Sequence, residues 1–497
     1  MTVMSAPFGL FQQHISLMHG WVPATVQALA GATLLVALGR RTRRWTLRWL
    51  PVAGVVGIAA ATAVHWVVTS DGLSGEPAPR QLWVWITISG VAVSVLGLGW
   101  RGARWWRRGA SILAVPLCLL STALAVNVWV GYFPTVQNAW NQLTSGPLPD
   151  QTSRAAVTAQ AAEVRTHHVL PARGSVVPVT VPATASHFKH RGELVYLPPA
   201  WFATSPPPKL PTVMMIGGQF NTPADWLRAG NAVDVIDAYA AAHRGNAPVF
   251  VFVDSGGAFN NDTECVNGPR GNAADHLTKD VVPFMTADFG VSNDPANWGV
   301  VGWSMGGTCA LDLTAMHPDL FSSFVDIAGD LAPNAGTKAQ TVARLFGGNA
   351  AAWSAYDPAT VITKHGRYQG VSGWFAVNGG PGTQPPRPRN VAVENAANAS
   401  GYLVGVGKPS DQTTAANTLC ALGTANGIRC AVVAQPGKHD WPFASRVFAA
   451  ALPWLAGAIH TPGAPAPPLP EAARGGAAVP GTARTSATDT SAEAAGR

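Results

Sequence analysis

Charge is scarce in this chain. Only 12% of its 497 residues are Asp, Glu, Lys or Arg, and the first 39 carry none. With no basic segment ahead of the first apolar run, an ordinary secretory signal peptide is a poor fit. The net charge is +7, but it is not spread as a nucleic-acid footprint would be. Nine arginines fall in two short clusters, Arg40, Arg41, Arg43, Arg44, Arg48 and Arg101, Arg104, Arg107, Arg108. Without them the balance of 33 basic and 26 acidic residues falls to −2. A nucleic-acid partner is therefore not expected. Cysteine is sparse as well. Cys118 lies in an apolar run, and Cys265, Cys309, Cys420 and Cys430 lie downstream. That even number suits two disulfides in an oxidising compartment. Four cysteines allow three pairings, of which Cys420–Cys430 with Cys265–Cys309 is expected.

Four long apolar runs fill the charge-poor part: Trp21 to Leu38, Leu50 to Thr69, Leu82 to Trp100 and Ala110 to Phe133. Each is near the roughly 20 residues that cross a bilayer as a helix. Tryptophans cluster at their ends (Trp21, Trp49, Trp83, Trp100, Trp105, Trp106, Trp129), as interfacial aromatics do. Both arginine clusters occupy loops on one side, whereas the loop Ser70–Gln81 holds only Asp71, Glu76 and Arg80. The positive-inside rule puts the arginine loops in the cytoplasm. The N-terminus and everything after Phe133 are then extracytoplasmic. Apart from His65, near an outer end beside Trp66, the runs hold no acidic or basic residue. Anchoring explains them more simply than transport.

The expected organisation is a four-helix transmembrane anchor over 1–135, a linker over 136–172, a catalytic domain over 173–458, and a disordered Pro/Ala/Gly-rich tail over 459–497. Within the linker, Thr152 to Arg165 reads as an amphipathic helix. In the domain, strand signals over Ser175–Val181, Gly192–Leu197, Thr212–Ile216, Pro248–Val253, Trp298–Val301, Ser323–Ala328, Gly373–Asn378 and Ile428–Gln435 alternate with helical stretches such as Asn272–Phe289 and Asp411–Ala425. That alternation predicts an α/β domain, a mostly parallel sheet with helices on both faces.

One stretch organises the domain. Trp298 to Val301 reads as a buried strand, Gly302-Trp303-Ser304-Met305-Gly306 follows, and a helix begins. This is the pattern of a nucleophile elbow, the strand-to-helix turn of an α/β-hydrolase fold. A serine hydroxyl needs a base within hydrogen-bond reach and a third group to orient it. In this fold the chain order is Ser, acid, His. The histidines after Ser304 are His317, His365, His439 and His460. His439 is favoured, because its loop directly follows the last strand and precedes a helix. Asp411 is the preferred acid, ahead of Glu394, with Asp357 early in the chain. Asp440 is disfavoured, since neighbours on a loop seldom face each other in triad geometry. The backbone N–H of Met305, just after the nucleophile, is the first oxyanion donor. No cofactor is implied, and His167, His168, His187 and His190 fall in no metal-ligand spacing.

The segments Gly302-Trp303-Ser304-Met305-Gly306-Gly307, Met215-Ile216-Gly217-Gly218-Gln219 and Pro436-Gly437-Lys438-His439-Asp440-Trp441-Pro442 resemble the esterase D and mycolyltransferase (antigen 85-like) group of α/β hydrolases. The stretch Asp262 to Gly271 is similar to the loop ahead of the elbow in secreted esterases of that group. The resemblance covers about Ser175 to Trp454. It implies a carboxylester hydrolase or an acyltransferase acting outside the cell on an ester or acyl-lipid substrate. It also implies a second oxyanion donor in the glycine-rich loop, the N–H of Gln219. In mycolyltransferases the acid is a glutamate ahead of the last helix, and Asp411 stands near that place. A non-catalytic binding module on the same fold is the remaining alternative.

Overall fold

The computed structural model describes residues 15–39, 42–70, 78–101, 103–144, 146, 148–379 and 412–470. Four helices head the described chain: α1 (Trp21–Leu38), α2 (Leu50–Ser70), α3 (Arg80–Gly99) and α4 (Trp105–Val130). A π-helical turn, Trp45–Trp49, leads into α2. All four are long and apolar enough to cross a membrane. They meet through small side chains: Ala30, Ala92 and Ala114 are fully buried between them. Where α2 crosses α3, a Cβ on Gly90 would lie 2.8 Å from the Gly57 Cα. Such close backbone approach is how helices associate when water supplies no hydrophobic drive.

Two helices occupy the stretch expected to be a linker. α5 (Val136–Leu143) is capped by Thr135, whose hydroxyl accepts from the Asn138 N–H, and α6 (Arg154–His167) by Ser153. Val157 and Val164 of α6 are buried in the domain core, so packing reaches upstream of residue 173.

The domain is built on an eight-stranded sheet. Its strands are β1 (Ser175–Val179), β2 (Glu193–Leu197), β3 (Thr212–Ile216), β4 (Val249–Val253), β7 (Trp298–Trp303), β8 (Ser323–Ile327), β9 (Ser372–Asn378) and β10 (Arg429–Gln435). A separate two-residue ladder joins β5 (Asn267–Gly268) and β6 (Gly271–Asn272). The order across the sheet is β1-β2-β4-β3-β7-β8-β9-β10. β1 with β2 and β2 with β4 are antiparallel, and every other pairing is parallel. Strand β4, apolar throughout, reflects burial on both faces. In β4, Val249, Val251 and Val253 join one core, while Phe250 and Phe252 join the other.

Short α7 (Asp225–Arg228), α8 (Ala232–Ala242) and the long α11 (Trp441–Ala458) cover one face. The other carries α6, α9 (Met305–Met316) and α10 (Gln412–Ala425), with helices Val282–Phe289 and Pro358–His365. Two disulfides take the expected pairing. Cys265–Cys309 ties the loop after β4 to α9, and Cys420–Cys430 ties α10 to β10. Beyond α11, Ile459 and Thr461 are still buried, and residues 471–497 of the expected tail lie outside the described residues.

Candidate active site

Strand β7 ends at Trp303 and helix α9 starts at Met305, leaving Ser304 alone in the turn with φ 57° and ψ −122°. A non-glycine residue there is strained, at a cost of about 1–3 kcal/mol. The flanking glycines make the turn sterically feasible. A Cβ on Gly302 would lie 1.6 Å from the Gly306 oxygen, and one on Gly306 would lie 2.5 Å from the Ile216 oxygen. Strand and helix can approach this closely only without those carbons.

The loop after β10 brings His439 to Ser304, with Nε2 2.9 Å from Oγ. The imidazole lies against the Trp303 ring, centroids 4.2 Å apart. Removal from water pushes its pKa down to about 4, so the ring is neutral at pH 7 and able to accept a proton. Its other nitrogen, Nδ1, lies 3.0 Å from Nε2 of Gln412, the first residue of α10. With that amide nitrogen donating, the imidazole proton sits on Nε2. Turning the amide by half a rotation presents Oε1 to an Nδ1–H and frees Nε2 to take the serine proton. Gln412 was not among the expected site residues. Its only sequence signal is its place beside Asp411.

Both expected acids, Asp411 and Glu394, lie outside the described residues. Two other carboxylates are helix caps: Asp440 accepts from the Phe443 N–H at 2.9 Å, and Asp357 from the Thr360 N–H at 3.1 Å. His365 stacks on Tyr368 at 3.9 Å.

Across from His439, the loop after β3 presses Gly218 against the nucleophile: a Cβ there would lie 3.1 Å from the Ser304 Cβ. Gly218 donates its N–H to Asn221 Oδ1 at 2.9 Å. Arg191 Nη2 in turn donates to the Asn221 carbonyl at 2.7 Å while pairing with Asp254. Burial opposes ionisation of Asp254, but the Arg191 guanidinium and backbone donors outweigh it and hold the carboxyl below its usual range. The next residue in this loop is Gln219. Among the described residues neither its N–H nor that of Met305 meets an acceptor.

Behind the elbow, carboxyl groups are buried. Asp326 of β8 is pushed up to about 7 by burial, and Asp330 to about 6. Asp326 accepts from the Gly329 N–H at 2.7 Å, and the Asp330 N–H donates to Thr308 Oγ1 at 2.9 Å.

Among the described residues one group gathers metal-ligand types, His190, Glu193 and His276. The two rings stack, 4.3 Å apart and 22° from parallel, so their in-plane lone pairs do not converge on one ion. His190 also faces carbonyl oxygens at both nitrogens, Val181 at 2.8 Å and Arg191 at 2.9 Å. The cluster reads as a buried hydrogen-bonded network, closed by Asp280 against His276 Nδ1 at 3.4 Å.

Residues 189–442 match the family described as putative esterase. An uncharacterized protein of Corynebacterium glutamicum is 26% identical over 442 residues, covering 86% of this chain and 96% of that one. An S-formylglutathione hydrolase from Agrobacterium tumefaciens is 16% identical with a TM-score of 0.44, over 59% of this chain and 98% of its own. MPT51 of Mycobacterium tuberculosis is 21% identical with a TM-score of 0.34, over 57% of this chain and 98% of its own.

Proposed function

This chain belongs to the putative esterase family, and from that premise we propose that it is a membrane-anchored serine esterase whose domain lies outside the cytoplasm. The observation that carries the reading is the 2.9 Å contact between Ser304 Oγ and His439 Nε2 on a strained turn. A serine so placed has a base in reach and its hydroxyl lifted clear of the sheet. Ser304 Oγ attacks an ester carbonyl, and His439 Nε2 takes its proton. The Met305 and Gln219 N–H groups hold the oxyanion. His439 then protonates the leaving alcohol, leaving an acyl-enzyme on Ser304. Water, deprotonated by His439, attacks that ester, the acyl–Oγ bond breaks, and His439 returns the proton to Ser304 as the acid leaves. Asp411 is the proposed orienting acid, supported by its adjacency to Gln412 at Nδ1, with Glu394 the alternative.

The four apolar helices supply the anchor. Two observations support an extracytoplasmic domain: the arginine loops leave the opposite side free, and two disulfides lie in the domain. Acyl transfer is the second reading. It uses the same residues with an acceptor hydroxyl in place of water, and is favoured by how close the site lies to the end of α4, where Gly131 packs on Asp440.

Turnover of a short-chain chromogenic ester by the full chain, beside Ser304→Ala, tests the reading. Loss of turnover in a folded variant supports it, and unchanged turnover sinks it. Adding a sugar acceptor and analysing products separates hydrolysis from transfer.

A further inference from the structure

Helix α5 follows α4 after only five residues and contains no charged side chain. Its polar residues turn inward. Asn138 Nδ2 donates to the Arg228 carbonyl at 3.2 Å, and Arg228 donates to the Asn141 carbonyl at 3.0 Å and to Gln142 Oε1 at 2.7 Å. Its two largest apolar residues turn outward, and Val136 beside them is half-buried. Val136, Trp140 and Leu143 recur at i, i+4 and i+7 on one face, with Trp140 61% and Leu143 78% exposed. For a helix bathed in water this is upside down. At a lipid surface it is the right way round.

The level of α5 agrees. The residues ahead of α1 pair with those just after α4: the Leu17 N–H donates to the Pro134 carbonyl and the Val136 N–H to the Ile15 carbonyl, each at 3.0 Å. So α5 begins at the level of residues 15–17, which lead into Trp21 at the start of α1. Trp66 lies near the end of α2, and Trp83, near the start of α3, packs edge-on to His65 at 5.0 Å. Tryptophans ringing one end of a bundle mark the interface of a bilayer.

We infer that α5 lies flat in the headgroup layer, its Val136/Trp140/Leu143 face against the acyl chains, and holds the active site at the lipid surface. The inference rests on reading α1–α4 as membrane spans. With no charge on α5, the contact is apolar and indifferent to headgroup charge. The loops of the site rest on the same turn. Tyr132 donates its hydroxyl to Asp225, which also accepts from the Thr222 N–H at 2.6 Å, closing the loop that carries Gln219. Gly131 packs against Asp440, next to His439.

Nitroxide labels test this in the full chain, with Cys118→Ala, reconstituted in phosphatidylcholine bilayers. Leu143→Cys reports on α5, Val55→Cys on an exposed span position, and Thr158→Cys on the exposed side of α6. Trp140→Cys is a second reporter on the same α5 face. Labels at 143, 140 and 55 should collide with oxygen more than with a water-soluble nickel complex, and the label at 158 should do the reverse. The pattern should persist when phosphatidylglycerol is added. If 143 and 140 behave like 158 while 55 stays lipidic, the inference is overturned and the spans stand. If 55 also behaves like 158, the membrane reading itself has failed.

Discussion

Strand β4 and helix α2 draw on the same kinds of side chain. In β4, Val249 to Val253 are all buried, alternately in two cores. In α2, Val55 is 66% exposed, and in α1 Leu35 is 70% exposed. The two regions share an apolar composition and differ in what surrounds it. The domain makes its own interior from a twofold alternation across a sheet, while the helical bundle buries mainly its small residues and turns the large ones outward. An outward layer of Leu, Val and Ile is stable only where the medium is itself apolar. The regions also divide the chemistry. Helices α1–α4 contain no carboxylate, whereas the domain holds the strained serine, the histidine and several buried acids.

The largest effect should come from the chemical side of this contrast. Ser304→Ala should cut kcat/KM for an ester by about 10⁴-fold or more, with circular dichroism unchanged. Retained turnover would move the chemistry away from the elbow. Next comes packing. Phe250→Ala, in the β4 core against Phe448, should lose about 3–5 kcal/mol in denaturant unfolding of the domain. Leu35→Ala on the exposed side of α1 should change the same transition by less than about 0.5 kcal/mol. Equal losses would break the comparison, because α1 would then be packing as a core helix.

Smaller effects separate the regions by pH. Asp326 titrates near 7 in the fold and near 3.9 in the unfolded chain. The unfolded state therefore releases its proton first, and stability falls as pH rises from about 4 to about 7. Asp326→Asn keeps an acceptor for the Gly329 N–H. It should gain about 1–3 kcal/mol over wild type at pH 8 and nothing at pH 3, measured by unfolding at both pH values. Least in size is the kinetic limb. His439 works neutral and is held down to about 4. The acid limb of kcat/KM should then fall near pH 4 rather than near 6.5, with little change between pH 7 and 5.

Legibility in the sequence followed contiguity. The elbow is one unbroken run in which Gly302 and Gly306 are required sterically, so its turn could be read directly. Strands such as β3 and β4 are short apolar runs bounded by Pro and Gly, and their edges fell within a residue or two. The antiparallel direction of β1 and β2 has no local signature, because pairing is decided across the sheet. Gln412 meets His439 across 27 positions, and the helix to which it belongs gives no hint of that meeting. The residues 136–172 read as a linker because nothing local says that Asn138 and Gln142 will meet Arg228. The acid, expected at Asp411 or Glu394, falls outside the described residues.

The most direct test of the account is covalent. The full chain in membranes would be treated with a fluorophosphonate and the adduct mapped by mass spectrometry. One adduct is expected, on Ser304, absent in Ser304→Ala and slowed in His439→Ala. An adduct on another serine, or none on folded protein, would contradict it.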